Sequence, residues 1–212
     1  MKNKILLLGH TGFVGSEIYS FLRKKNLKIN CYSRKEKIIN NKVCSKKISL
    51  KNLISKSNII INCVGENLDL NKMEVNNHLF VKNLLNKIRN VKKKKLIHLS
   101  SCAIYGEYFH VKNFIINQHT KPKPISNYAK TKLAADKEII KFKSKKLNYI
   151  ILRPSQVIGK NMKARGFVHL TKFIKYNLFV YSSTKTAIRN YVTSEDLCKI
   201  VLKICRSNSF DN

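Results

Sequence analysis

Short apolar runs alternate along the chain with longer stretches in which apolar residues return every third or fourth position. Residues 4–8, 28–32, 58–63, 95–100 and 148–152 are largely apolar runs of strand length. They predict strands covered on both faces. The stretches at about 13–25, 51–56, 73–90, 127–143, 163–175 and 195–206 each carry one apolar stripe, which predicts helices packed on that sheet. A later strand is expected near 178–182. Strand and helix in alternation, with no internal repeat, low-complexity tract or flexible linker, predict an α/β fold with a doubly wound parallel sheet.

The glycines punctuate this pattern where strands end. Of seven, Gly9, Gly12 and Gly15 fall in the first turn, and Gly65, Gly106 and Gly159 are each expected just after a strand. In a doubly wound sheet that edge is where ligands bind, and glycine lets backbone approach them closely. The first loop runs Gly9-His10-Thr11-Gly12-Phe13-Val14-Gly15 between a strand and a helix, the context that a dinucleotide-binding turn requires. Backbone N–H groups and a helix N-terminus there favour a pyrophosphate. This is a Rossmann-type arrangement, with residues 1–160 as the nucleotide-binding core and 161–212 as a partial substrate-binding region. The end of the second strand selects the nucleotide, because a carboxylate accepts from a ribose 2′-OH whereas arginine receives a 2′-phosphate. Cys31-Tyr32-Ser33-Arg34 offers no carboxylate and one arginine, so NADP(H) is expected over NAD(H).

A tyrosine works as an acid/base near neutrality only when its pKa is drawn down from about 10. A lysine four residues later on a helix lies on the same face and can do this. Lysine is so common here that Tyr108/Lys112, Tyr128/Lys132 and Tyr181/Lys185 all have the spacing. Only Tyr128 opens a helical pattern, so Tyr128 and Lys132 are the candidate pair, and the other two tyrosines read as structural. A hydroxyl to orient the reacting oxygen is available from Ser100 or Ser101 at the end of the fourth main strand.

These segments together resemble the extended short-chain dehydrogenase/reductase group, the NAD-dependent epimerase/dehydratase family, in its nucleotide-sugar-acting form. The resemblance rests on the Gly9–Gly15 loop, Leu99-Ser100-Ser101 with Tyr105-Gly106, Tyr128-Ala129-Lys130-Thr131-Lys132 and Leu152-Arg153-Pro154, in that order, and runs from Lys4 to about Cys205. It implies that Ser101 takes the catalytic position with Tyr128 and Lys132, and that Ser100 sits beside the cofactor. It implies cofactor contacts for Cys63, Val64, Gly65, Asn77 and Pro154, with Ser33 standing where NAD-using relatives carry aspartate. It implies a substrate-diphosphate contact for Arg189. The implied reaction is hydride transfer on a nucleotide-diphosphate sugar, as an oxidoreductase or epimerase, serving polysaccharide synthesis. Cys102 and Ala103 stand where a dehydratase would carry its acidic pair, so reductase and epimerase remain level. Members acting on nucleotide sugars continue well beyond the last matching segment, so a reduced substrate lobe is expected.

Composition alters this picture in one respect. Forty-three basic against 11 acidic residues give a net charge of +32, a balance that attracts polyanions. Lysine supplies almost all of it. Lysine, asparagine and isoleucine are all abundant and share AT-rich codons, so base drift accounts for the excess as well. The densest run, Lys92 to Lys95, reads as the solvated end of the preceding helix. With no tryptophan and no aromatic residues interleaved with the basic runs, nucleic-acid binding is the alternative rather than the first reading, as is a non-catalytic Rossmann module for a protein partner. Six cysteines form no C-x-x-C pair and no zinc spacing, so no metal site is expected and the thiols fit a reducing compartment. The apolar start is too short for a leader and enters a glycine loop directly, so a cytoplasmic protein without membrane insertion is expected. A homodimer is also an open expectation.

Overall fold

The computed structural model describes residues 4–32, 37–39, 42–44, 49–91, 93–111, 113–142, 147–162, 165–178 and 189–207. Its elements are β1 (Ile5–Leu8), α1 (Phe13–Lys24), β2 (Ile29–Tyr32), β3 (Lys37–Ile39), β4 (Lys42–Cys44), α2 (Leu50–Lys56), β5 (Ile59–Asn62) and α3 (Leu70–Met73). A π-helical turn (Glu74–Leu79) runs into α4 (Phe80–Ile88). Then follow β6 (Lys94–Leu99), a 3-10 segment (Cys102–His110), α5 (Asn127–Lys141), β7 (Leu147–Leu152), β8 (Gln156–Ile158), α6 (Arg165–Lys175), β9 (Tyr191–Thr193) and α7 (Ser194–Arg206).

Five parallel strands form the main sheet in the order β2-β1-β5-β6-β7. The order reverses between β1 and β5, so the loops leaving these two strands diverge and open a crevice at their carboxyl ends. Strand alternation sorts the core into two layers. Leu6, Leu8, Ile60 and Leu96 pack on one face against Leu53, Leu84, Leu85, Ala135 and Ile139 of α2, α4 and α5. Ile5, Leu7, Ile59, Ile61 and Ile97 pack on the other against Ile18, Leu22, Leu197 and Val201 of α1 and α7. Each such fully buried Leu or Ile stabilises the fold by about 1.5–3 kcal/mol relative to exposure.

The expected helices and five main strands all form, with bounds moved by a few residues. Of the later strand expected near 178–182, only Leu178 is among the described residues, and it lies outside any strand. β9 forms at 191–193 and pairs in parallel with β8. Both strands are three residues long, too short for apolar periodicity to reveal. Gly106 lies inside the 3-10 segment rather than directly after a strand.

The lysine run also differs from expectation. Lys94 opens β6 and is buried, with its ammonium donating to the carbonyls of Ser55 and Ser57 at the end of α2. Lys95 donates to the Ser207 carbonyl past the end of α7. The cations do meet helix carbonyl ends, but those of α2 and α7 rather than α4. Among the described residues Cys31, Cys63, Cys102, Cys198 and Cys205 form no disulfide. No helix among them is long and apolar enough to cross a membrane, and no group of three His, Cys, Asp or Glu could hold a metal.

Candidate active site

The carboxyl end of β1 supplies the first component. Gly9 adopts φ +78, and a Cβ there would come within 2.6 Å of the Cys63 backbone. A Cβ on Gly15 would lie 2.1 Å from the Gly9 carbonyl oxygen. Both glycines are thus demanded by the protein's own backbone. Gly12 is different, since the nearest atom to its Cβ position is Gly9 O at 3.4 Å, an ordinary contact. Gly12 is also the N-cap of α1, where no side chain caps the helix and no acidic residue occupies the first turn. The positive end of α1 is left uncovered, which suits an anionic group. The side chains of Phe13 and Val14 turn away, Phe13 toward Gly159 and Val14 onto the core under α1.

A cavity of about 700 Å³ opens beside this loop at the β1/β5 reversal. Leu8, Gly9, Thr11 and Gly12 line one side, Cys63, Val64 and Gly65 another, and Tyr32, Val75, Asn76 and Phe80 close it. Burial pushes the Cys63 thiol up to about 12, so it is present as a neutral group. The backbone cradle, the uncovered helix end and this cavity fit a dinucleotide. Ser33 and Arg34, expected to select it, lie outside the described residues.

Asn77 has a role that spacing did not reveal. Its Oδ1 accepts from Glu66 N at 2.8 Å, and its Nδ2 donates to Glu66 O and to Thr131 Oγ1, both at 2.9 Å. Its side chain therefore ties the β5 loop to α5. The adjacent Asn76 is the residue that lines the cavity. The π-turn makes this possible, because a five-residue hydrogen bond (Phe80 N to Val75 O) lets two consecutive asparagines both face inward.

The second component forms where α5 meets β6. Ser126 caps α5 by accepting from Ala129 N at 3.1 Å, which fixes the start of the helix at Asn127 and puts Tyr128 in its first turn. The phenol of Tyr128 lies beside the Ser101 hydroxyl, which lowers its pKa, and that hydroxyl accepts from Ala103 N at 3.1 Å. Lys132 follows one turn later, buried, with Nζ 5.9 Å from the centre of the Tyr128 ring. Its ammonium donates to the Leu99 carbonyl at 2.9 Å. Burial lowers its pKa from 10.5 to about 8, and Asp136 and Cys63 act in the opposite direction. Burial also raises the Tyr128 pKa, outweighing the neighbouring Ser101 hydroxyl that lowers it. This departs from the expectation that Lys132 draws the phenol down: the lysine's nearest bond goes to a carbonyl, and both groups are desolvated together.

Ser100, by contrast, is buried beside Asp136, whose carboxyl burial pushes above its ordinary pKa while Ser100 and Arg153 act in the opposite direction. Pro154 meets the same loop through its carbonyl, which accepts from Cys102 N at 3.0 Å. Tyr108 is stacked on Phe114 with ring centres 4.4 Å apart, a packing role. Tyr181 and Lys185 lie outside the described residues, as does Lys112. Arg189 is exposed just ahead of β9; two residues upstream of the Gln156–Tyr191 pair, the β8–β9 register sets it level with Pro154.

The sheet order, the glycine cradle at its reversal point and the Ser–Tyr–Lys group beside it define a Rossmann-fold protein with a nucleotide site next to a potential acid/base. The chain belongs to the NAD dependent epimerase/dehydratase family, whose model matches residues 5–211. A GDP-6-deoxy-D-talose 4-dehydrogenase of Aggregatibacter actinomycetemcomitans is 22% identical over an alignment of 210 residues that covers 95% of this chain and 69% of that protein. Two solved structures share the fold. MoeE5 in complex with UDP-glucose and NAD aligns with TM-score 0.79 and 17% identity over 97% of this chain and 73% of its own. UDP-glucuronic acid 4-epimerase of Bacillus cereus, in complex with UDP-glucuronic acid and NAD, aligns with TM-score 0.78 and 19% identity over 98% and 74%.

Proposed function

We propose that this chain is a nicotinamide-dependent oxidoreductase or epimerase that acts on a nucleotide-diphosphate sugar, with Tyr128 as the acid/base. The observation that carries the reading is the Tyr128 phenol beside Ser101 and one helical turn from buried Lys132, on the strand edge that also bears the Gly9–Gly15 cradle. A bound nicotinamide cofactor supplies the hydride acceptor or donor. The backbone of Thr11, Gly12, Phe13 and Val14 holds its pyrophosphate, and the cavity beside Tyr32 and Val64 takes its adenosine end.

Tyr128 takes a proton from, or returns it to, the sugar hydroxyl at its phenolic oxygen. Ser101 orients that hydroxyl by sharing the hydrogen bond. Lys132 presents a buried positive charge that favours the phenolate once a substrate oxygen replaces water. Arg189 and the segment 161–212 contribute to the diphosphate side of the substrate. The relatives' substrates, a GDP-sugar in one case and UDP-sugars in two, support this substrate class. NADP(H) is the preferred cofactor in this reading, on the strength of Ser33 where NAD-using relatives carry aspartate and of Arg34 beside it.

Titration with NADPH and NADH by nicotinamide fluorescence, followed by assays with UDP- and GDP-sugars, tests the reading. Micromolar binding and a turnover that falls by about a hundredfold or more in Tyr128→Phe are expected, with cofactor affinity changed only a few-fold. Absence of cofactor binding, or a fully active Tyr128→Phe, overturns it. Arg34→Ala is expected to weaken NADPH more than NADH, and equal losses would remove NADP(H) as the preferred cofactor.

A further inference from the structure

Lys132 is not isolated in its burial. Strand alternation points Asn62 and His98, register partners on β5 and β6, toward the α5 side of the sheet, and Ser100 and Arg153 continue that face beyond the strands. There they meet Asp136, one turn beyond Lys132 on the buried stripe of α5. Asp136 is fully buried and is the one buried carboxylate among the described residues. Its Oδ2 accepts from Arg153 Nε at 3.0 Å, and Arg153 Nη1 donates in turn to the Tyr105 hydroxyl at 2.8 Å. Its Oδ1 faces His98 Nε2 at 3.8 Å.

The His98 tautomer follows from its neighbours. Asn62 Oδ1 accepts from Val64 N at 3.1 Å, so Nδ2 is the atom that donates to His98 Nδ1, also at 3.1 Å. That leaves the proton on Nε2, aimed at Asp136. His98 stays neutral, because burial and the nearby Lys132 hold its pKa well below 6.5. It therefore faces the carboxylate as a neutral ring and does not neutralise it.

A buried ammonium persists only with a buried counter-charge. The groups around Lys132 are Tyr128 and Asp136 on α5, the latter one turn away on the same buried stripe and beyond direct ion-pair distance, Cys63 beyond β5, and His98 and the Leu99 carbonyl on β6. Cys63 is a neutral thiol and His98 a neutral ring, so Asp136, whose pKa burial raises while Arg153 and Lys132 lower it, is the group of opposite charge among them. The groups facing Asp136 are Lys132, Arg153, His98 and Ser100. We propose that Asp136 is a positioning residue for Lys132, a counter-ion held in place by Arg153 and faced by neutral His98, that keeps the α5 lysine charged beside Tyr128. Two cations around one carboxylate leave the cluster one positive charge in excess, which a Tyr128 phenolate would balance.

This role rests on the proposed acid/base function, but its test reads Lys132 directly. Nuclear magnetic resonance of the cofactor-free, ¹³C-lysine-labelled 212-residue chain, with Lys132→Arg to assign the signal, gives the Lys132 titration midpoint. Asp136→Asn is expected to bring the midpoint down by about one pH unit, a tenfold loss of proton affinity, and Asp136→Glu to restore it. Arg153→Gln is expected to move it up, since a competing cation is lost. Opposite signs in two variants of one cluster cannot come from simple loosening of the fold. An unmoved midpoint in a folded Asp136→Asn overturns the proposal. If that variant does not fold, Arg153→Gln decides alone, a rise supporting the proposal and no change overturning it. NADH titration on the wild-type sample separates the two readings: failure to bind removes the enzymatic role and leaves the Lys132 measurement intact.

Discussion

The two halves of the site are made of different materials. At the β1 edge the ligand-facing surface is backbone, and Gly9 and Gly15 are needed so that one segment of main chain can touch another. At the β6–α5 edge the surface is side chain, where Lys132, Asp136 and His98 are buried together and half-buried Arg153 bonds the carboxylate. The first half is a steric solution, intolerant of a single added carbon. The second is an electrostatic one, which tolerates changes of shape but not of charge. Substitutions should therefore behave differently on the two sides.

The sharpest contrast lies within the glycine loop itself. Gly15→Ala places a Cβ 2.1 Å from the Gly9 carbonyl, where both partners are main chain and neither can swing aside. A loss of about 3 kcal/mol or more in unfolding free energy is expected, measured by urea denaturation. Gly12→Ala meets only an ordinary 3.4 Å contact, so stability should change by less than about 1 kcal/mol. Its methyl would instead enter the space beside the uncovered α1 terminus, and cofactor affinity should fall by about tenfold or more. Equal effects of the two substitutions would dissolve the distinction between a packing glycine and a ligand glycine.

On the electrostatic side the expected change has the opposite sign. Lys132 has a folded pKa of about 8 against 10.5 for the free side chain. Between those values the unfolded chain holds the proton and the native one does not, so native stability rises with pH across the window and falls as pH drops through 8. Below pH 8 the whole cost of burying the ammonium is present, about 3 kcal/mol. Lys132→Met should therefore stabilise the protein at pH 7 by about 1–3 kcal/mol, part of the gain being offset where Asp136 loses a counter-charge. It should also flatten the rise between pH 8 and 10.5. Thermal unfolding across that range reads both effects, and a destabilised, equally sloped variant would show that Lys132 is an ordinary packing residue.

The same contrast explains what could be read before the fold was known. The glycine loop is local: seven consecutive residues between a strand and a helix carry the pattern, so Gly9, Gly12 and Gly15 were legible together. Tyr128 and Lys132 were legible because Ser126 and the prolines ahead of them mark a helix start. The supporting charges were not, since Asn62, His98, Asp136 and Arg153 come from four elements that only the sheet register brings together. One signal was available: a lysine and an aspartate four residues apart on the apolar stripe of α5, where charge is out of place. The part played by Asn77 was hidden for a related reason, because a π-turn shifts helix phase and no periodicity rule anticipates it.

Gly65 lies where the two halves touch and gives the finest test. A Cβ there would sit 3.1 Å from Lys132 Nζ and 3.4 Å from Asn77 Oδ1, so the backbone edge of the cavity leaves just enough room for the ammonium. The nearer neighbour is the end of a flexible side chain rather than main chain, and it can give by a few tenths of an ångström. Gly65→Ala should therefore cost less than about 1 kcal/mol of stability, unlike Gly15→Ala. The added methyl removes water and polar surroundings from the ammonium, which disfavours its charged form. The Lys132 midpoint should fall in the same direction as in Asp136→Asn but by a smaller step. A large loss of stability with an unmoved midpoint would place Gly65 with the steric half of the site instead.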